Sequence, residues 1–158
     1  MQKTLRVAII GSGHMASKHA QAWKKNNADI IAVAWQTESS VKSFSKKFSI
    51  PHYYTRIEEF LKKEKPDAVS ITTPSHTHAE LSIKCLNHGI HVLCEKPIAL
   101  NTADAKKIAE TVEKTKKKFM TGFNWRFHDQ LLRAKNLTDE IGQPKIAWFR
   151  GSGNIQQK

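Results

Sequence analysis

Residues 5–16 read LRVAIIGSGHMA. The apolar run over residues 5–10 holds a single arginine. It suits a strand buried on both faces, since a strand with one wet face alternates apolar and polar side chains. Glycines end the run. Residues 14–25 then carry Met15, Ala16, His19, Ala20, Ala22 and Trp23 at helical spacing, and Asn26-Asn27 stops the helix. Gly11, Gly13 and Ala16 therefore fit G-x-G-x-x-G/A between a strand and a helix. In that pattern the first glycine makes a tight turn, the second lets backbone approach a pyrophosphate, and a small third residue lets the helix pack close. Phosphates at the turn residues Gly11, Ser12, Gly13, His14 and Met15 would meet free N–H groups and the positive end of the helix dipole. The alternative is a glycine turn that only packs well.

The remaining chain decides what surrounds this turn. Residues 30–35, 68–73, 90–94 and 119–123 read as further strands, with a short one at 52–54. Between them, residues 38–48, 56–63, a helix opening near Thr77, and 102–117 show helical spacing. Thr77 and Glu80 form a candidate capping box, Gly89 stands where a left-handed C-cap is wanted, and Asn101 is a candidate N-cap. Strands and helices alternating at these intervals predict crossover units and a doubly wound α/β fold, a parallel sheet covered on both faces. After Asn124 the pattern changes. A helix near 130–137, a turn at Gly142-Gln143-Pro144 and a strand at 145–150 are too little to bury a core of their own.

The acid that accepts from adenosine ribose hydroxyls about 20 residues after the glycines is missing at its expected place. Trp35-Gln36-Thr37 stands there instead. Trp35 either stacks on adenine, with Gln36 or Thr37 bonding the ribose, or is a core or edge aromatic. A 2′-phosphate with Lys42 assisting is a further option, so the cofactor expectation is NAD or NADP.

Composition excludes several classes. No uncharged apolar run approaches the ~20 residues that span a bilayer, and VAII is too short for a signal-peptide core, so a cytoplasmic protein is expected. Cys85 and Cys94 are too few for a disulfide framework. His76 and His78 have no cysteine or carboxylate beside them at a ligand spacing, and no metal site is expected. The net charge of +12, from 26 basic and 14 acidic side chains, favours phosphorylated ligands or polyanions at long range. Nine of the 21 lysines, however, come as doublets and a triplet near predicted helix ends, at 24–25, 46–47, 62–63 and 116–118, where they suit the dipole and stay hydrated. A solvated surface outweighs a nucleic-acid-binding role, which steep salt dependence on random duplex would reveal.

Three stretches, GSGHMA at 11–16, KPDAVSITTPSHTHAELSIKCLNHGIHVLCEKPIAL at 65–100 and GFNWRF at 122–127, together resemble the N-terminal half of the Gfo/Idh/MocA oxidoreductase family. The resemblance runs from residue 5 to residue 151, and Glu95-Lys96-Pro97 is its most specific part. It implies a cofactor-binding Rossmann domain at residues 1–123, followed at 124–158 by the truncated start of an α+β domain that carries most of the substrate site. Members move a hydride between NAD or NADP and a secondary alcohol of a sugar, cyclitol or related compound. Carried over, Glu95 resembles a ligand of the nicotinamide ribose and Lys96 the catalytic lysine. Thr73, Pro74 and His78 resemble the loop along the cofactor, and Trp125-Arg126 the pair near the nicotinamide and phosphates; the alternatives are a His that is only a capped or hydrogen-bonded helix residue and an Arg stacked on Trp125 for packing. The resemblance also suggests a cis bond before Pro97.

An ammonium at the carboxyl end of a parallel strand lies where such sheets bind ligands, and it can hold or polarise a substrate oxygen. Away from this context Glu95-Lys96 would read as a surface charge pair of little consequence. An Asp and a His four residues apart, on a helix of the second domain, complete the family's catalytic set and would come beyond Arg150. The chain alone is therefore expected to bind a dinucleotide and to turn over sugars slowly or not at all. The alternative is a stand-alone dinucleotide-binding or sensing module. Apolar PKIAWFRG, residues 144–151, would leave an edge open, and a homo-oligomer is expected.

Overall fold

Strands that are apolar along their whole length need cover on both faces, and the computed structural model shows that cover. It describes residues 4–138, 140–143, 145, 146 and 148. The chain divides into two units, Met1–Gly122 and Phe123–Lys158.

The first unit runs β1 (Arg6–Ile10), α1 (His14–Lys25), β2 (Asp29–Ala34), α2 (Glu38–Phe48), β3 (His52–Tyr54), α3 (Ile57–Lys63), β4 (Ala68–Ile71), α4 (His78–Asn87), β5 (His91–Cys94), α5 (Thr102–Thr115) and β6 (Phe119–Thr121). All five strand pairings are parallel, in the order β3-β2-β1-β4-β5-β6. The order reverses between β1 and β4, so the loops leaving these neighbours diverge and open a crevice at their carboxyl ends.

Successive residues of β1 serve opposite faces, as the strand period requires. Ile9 joins Ala16 and Ala20 of α1 and Val41, Phe44 and Phe48 of α2. Ala8 and Ile10 join Phe60 and Leu61 of α3, Leu81, Cys85 and Leu86 of α4, and Ile108 of α5. Burial of each large apolar side chain in such a layer contributes about 1.5–3 kcal/mol. The register slips once: Val7 pairs with Ile30 but Ala8 with Ala32, which leaves Ile31 as a bulge residue on the same face as Ala32.

Helix ends show where local signals held. The Asn101 side chain accepts from the Asp104 N–H at 2.8 Å, the expected N-cap. Gly89 has φ of +75° after α4, the expected left-handed stop. The capping box at Thr77 and Glu80 did not form. The Thr77 hydroxyl donates to Pro74 O at 2.8 Å and lies 2.6 Å from Thr73 Oγ1, while Glu80 pairs with Lys84 at 2.8 Å. The loop before α4 supplied Thr77 with closer partners than the helix amides.

The second unit contains a 3-10 turn at Asn124–Phe127 and α6 (Asp129–Asn136), with no buried residue in either. Of the strand expected at 145–150, Lys145, Ile146 and Trp148 are described and are not in a strand. Its other residues, and Pro144 of the expected turn, lie outside the described residues. No helix among the described residues is long and apolar enough to cross a membrane.

Candidate functional site

The crevice at the sheet reversal is built from the ends of β1, β4 and β5. Gly11 leaves β1 with φ of +113°. A Cβ there would stand 2.6 Å from Thr72 Oγ1 and 3.0 Å from the Thr72 carbonyl. Thr72, just past β4, is held in place by its N–H and hydroxyl, which both donate to Ile10 O at 2.9 and 3.1 Å. Only glycine fits between two strand ends brought so close.

Gly13 is different. Its φ of −85° suits any residue, and a Cβ there would meet nothing within 4 Å. Neither backbone nor packing requires glycine at this position, so the reading as a turn that merely packs well accounts for Gly11 and leaves Gly13 unexplained. Gly13 is also the N-cap of α1, with no side chain to cap the helix and no acidic residue in the first turn. The amides of that turn are orphan donors with the dipole behind them. His14 and Met15 are exposed there, and the Ser12 hydroxyl turns away to the Ser40 hydroxyl of α2 at 2.6 Å. These residues fit a diphosphate: bare N–H groups, a positive helix end, and open space where a side chain would block approach.

At the end of β5 the charges part. The Glu95 carboxylate turns inward and is only 8% exposed, whereas Lys96 is exposed. Glu95 Oε1 lies 3.1 Å from His19 Nε2, and Oε2 accepts from the Lys96 N–H at 3.2 Å. The ammonium of Lys96 has no hydrogen bond or ion pair among the described residues. A surface charge pair is thus not what the turn holds. The Lys96-Pro97 peptide is cis.

His78 is 1% exposed, and its ring bridges two loops: Nδ1 is 2.7 Å from Pro97 O and Nε2 2.9 Å from Thr73 O. Both nitrogens are engaged inside the protein. The ring ties the Thr73-Pro74 loop, where Thr73 is half-buried and Pro74 exposed, to the turn that carries Lys96.

Trp35 is half-buried and packs against both core layers, with Gln36 and Thr37 exposed beside it. The next carboxylate, Glu38, is exposed on the first turn of α2. Trp125 and Arg126 belong to the second unit, where both are exposed and the Trp125 ring stacks on His128 with centroids 6.2 Å apart. Burial pushes the Cys85 thiol up to about 12 and the Cys94 thiol to about 11, so neither is a thiolate nucleophile at neutral pH.

Sequence reasoning passed over His19, Thr72 and Gly122. His19 was legible as a polar residue four before Trp23 on an otherwise buried helix face. Thr72 and Gly122 carry no local signal, because their roles come from neighbours distant in the chain.

Residues 5–123 match the profile of an oxidoreductase family with an NAD-binding Rossmann fold, Gfo/Idh/MocA. Among curated relatives, a D-glucoside 3-dehydrogenase of Escherichia coli is 34% identical over 150 residues, which is 92% of this chain and 43% of the relative. A myo-inositol 2-dehydrogenase of Thermotoga maritima is 30% identical over 145 residues, 90% of this chain and 43% of the relative. Among solved structures, a scyllo-inositol dehydrogenase of Lactobacillus casei with bound NAD(H) and scyllo-inositol superposes with a TM-score of 0.81 at 27% identity. That match covers 87% of this chain and 42% of the other. The chain thus spans less than half the length of the relatives it matches. A glycine turn at the sheet reversal, the Glu95-Lys96-Pro97 turn two strands away and a match over residues 5–123 agree: the chain belongs to the Gfo/Idh/MocA oxidoreductase family and carries its NAD-binding Rossmann fold.

Proposed function

We propose that the crevice binds a nicotinamide dinucleotide, NAD or NADP, as the cofactor-binding part of an oxidoreductase acting on a secondary alcohol of a sugar or cyclitol. Gly13 is the observation that carries this reading. It is a glycine for which the protein itself gives no reason and an incoming diphosphate does. The inositol and glucoside dehydrogenases among the relatives support the substrate class.

When bound, the dinucleotide supplies hydride transfer. The chain's residues hold and orient it. First-turn amides of α1, at His14 and Met15, hold the diphosphate. Glu95 accepts from a hydroxyl of the nicotinamide ribose. Lys96, exposed beside it, places its ammonium at the substrate oxygen, where it offsets negative charge as the neighbouring carbon exchanges hydride. Thr73 and Pro74 line the cofactor, His78 ties their loop to the Lys96 turn, and Trp35 with Gln36 borders the adenosine end. Trp125 and Arg126 serve the nicotinamide and phosphates. Residues 1–123 form the cofactor domain and 124–158 open the substrate domain. No carboxylate stands among Trp35, Gln36 and Thr37, so NADP is admitted as well as NAD.

On its own the 158-residue chain binds the dinucleotide with little or no turnover, since its relatives are more than twice as long. It also self-associates, through apolar groups such as Ile146, 81% exposed, and Trp148, 95% exposed. A clean monomer in concentrated sedimentation runs would contradict that. The function is tested by titrating the chain with NADH and NADPH while following tryptophan emission. Saturable energy transfer to the dihydronicotinamide, reversed by ADP, is expected; unchanged emission up to millimolar nucleotide refutes the reading.

A further inference from the structure

We propose that His19 is a positioning residue for the nicotinamide end of the site, acting through Glu95. The proposal deepens the dinucleotide reading and rests on it.

His19 and Glu95 are 76 residues apart in sequence and meet at 3.1 Å, with side chains only 12% and 10% exposed. The Nε2–H donates and the carboxylate accepts. Four residues further along α1, the Trp23 Nε1–H donates to Ser70 Oγ at 2.7 Å, and Ser70 is a fully buried residue of β4. Residues i and i+4 share one face of a helix. That face of α1 is therefore fastened by two polar bonds, one to the middle of β4 and one just past β5. The same helix offers the first-turn amides, so the diphosphate and ribose ends of the site are referred to one rigid element.

Gly122 adjoins the same carboxylate. A Cβ there would stand 3.2 Å from Oε1 and 3.4 Å from the carboxyl carbon. His19 on Oε1 and the Lys96 N–H on Oε2 hold the carboxylate in one orientation, beside the space that Gly122 leaves. An ionised carboxylate has about four acceptor positions. Two are taken, one on each oxygen, and the remainder are available to ribose hydroxyls. Without His19, a Glu side chain recovers much of its rotamer freedom, and ordering it again on binding lowers affinity.

The test compares NADH with ADP, which ends at its second phosphate and has no nicotinamide ribose. In His19→Leu we expect NADH affinity to fall roughly tenfold, the loss of one hydrogen bond to a charged group, with ADP affinity unchanged within about twofold. His19→Gln, whose amide N–H replaces Nε2–H, should restore NADH binding. Adding His19→Leu to Glu95→Gln should cost little beyond Glu95→Gln alone. A further measurement needs no variant: ¹⁵N spectra of the unaltered chain should show the proton on His19 Nε2. Undiminished NADH affinity in His19→Leu, equal losses for NADH and ADP, failure of His19→Gln to restore binding, or a bare Nε2 each overturns the proposal. If the unaltered chain binds neither NADH nor NADPH, the dinucleotide reading falls and this proposal with it; binding by the unaltered chain with any of the other contrary results removes this proposal alone.

Discussion

Two glycines two residues apart should respond oppositely to the same substitution. In Gly11→Ala the new methyl is placed at φ of +113° and 2.6 Å from Thr72 Oγ1, with Thr72 backbone at 3.0 Å. An L residue at such an angle costs about 1–3 kcal/mol, and forcing a methyl into packed surroundings costs about 1–3 kcal/mol more. A total of about 3 kcal/mol would lower the melting temperature by roughly 10 °C for a unit of this size. Gly13→Ala meets no neighbour and a φ of −85°, so stability should stay within about 1 kcal/mol of the parent. Its methyl would instead stand in the approach of the proposed diphosphate. Displacing one charge-assisted hydrogen bond to a phosphate, about 1.5–3 kcal/mol, predicts NADH binding weakened about 10- to 100-fold. Thermal melts followed by circular dichroism, with nucleotide titrations at 25 °C, read both effects. If Gly13→Ala binds NADH like the parent, or if it unfolds as Gly11→Ala does, the assignment of Gly13 to the ligand is wrong.

Asn101→Ala removes a side-chain cap and should cost about 1 kcal/mol, whereas Glu80→Ala, which loses only an exposed pair with Lys84, should change stability by under about 0.5 kcal/mol; urea denaturation separates them. Ser70→Ala leaves the Trp23 indole N–H without its buried acceptor and should cost about 1–3 kcal/mol, with a shift in tryptophan emission. Burial, helped by the hydrogen bond to Glu64 and its charge, raises the Tyr54 phenol from 10.0 to about 12. A phenol that binds its proton more tightly when folded contributes stability that is whole below pH 10 and lost as pH rises through about 12. Unfolding free energy should therefore fall across that window, and Tyr54→Phe should flatten the fall; an identical pH profile in the variant would contradict the assignment.

The parts of the fold that were legible are those whose causes are local. Residues 38–48 and 52–54 match α2 and β3 because helical spacing, Ser49 in a left-handed turn and Pro51 all act within a few residues. The strand expected at 68–73 ends at Ile71 because Thr73 leaves the sheet to meet the His78 ring. Polar partners far apart in the chain were not legible. Glu64, just past the helix expected at 56–63, is 7% exposed and takes His52 and Tyr54 from β3. His78 resembles a residue of the loop along the cofactor and is also open to reading as a hydrogen-bonded helix residue; its two ring nitrogens meet the Pro97 and Thr73 carbonyls. His19 and Glu95 meet only once a parallel sheet sets α1 beside the end of β5. Periodicity describes what each element buries; it is silent on which polar group waits across the layer.

The proposed function puts a dinucleotide along the crevice, with its diphosphate on the first turn of α1. A crystal structure of the chain grown with NADH tests it most directly. Phosphate oxygens are expected within about 3 Å of the His14 and Met15 amides, the nicotinamide ribose on Glu95, and the Lys96 ammonium beside the ring. Nucleotide bound elsewhere, or a diphosphate away from Gly13 with Lys96 remote from the nicotinamide, would contradict it.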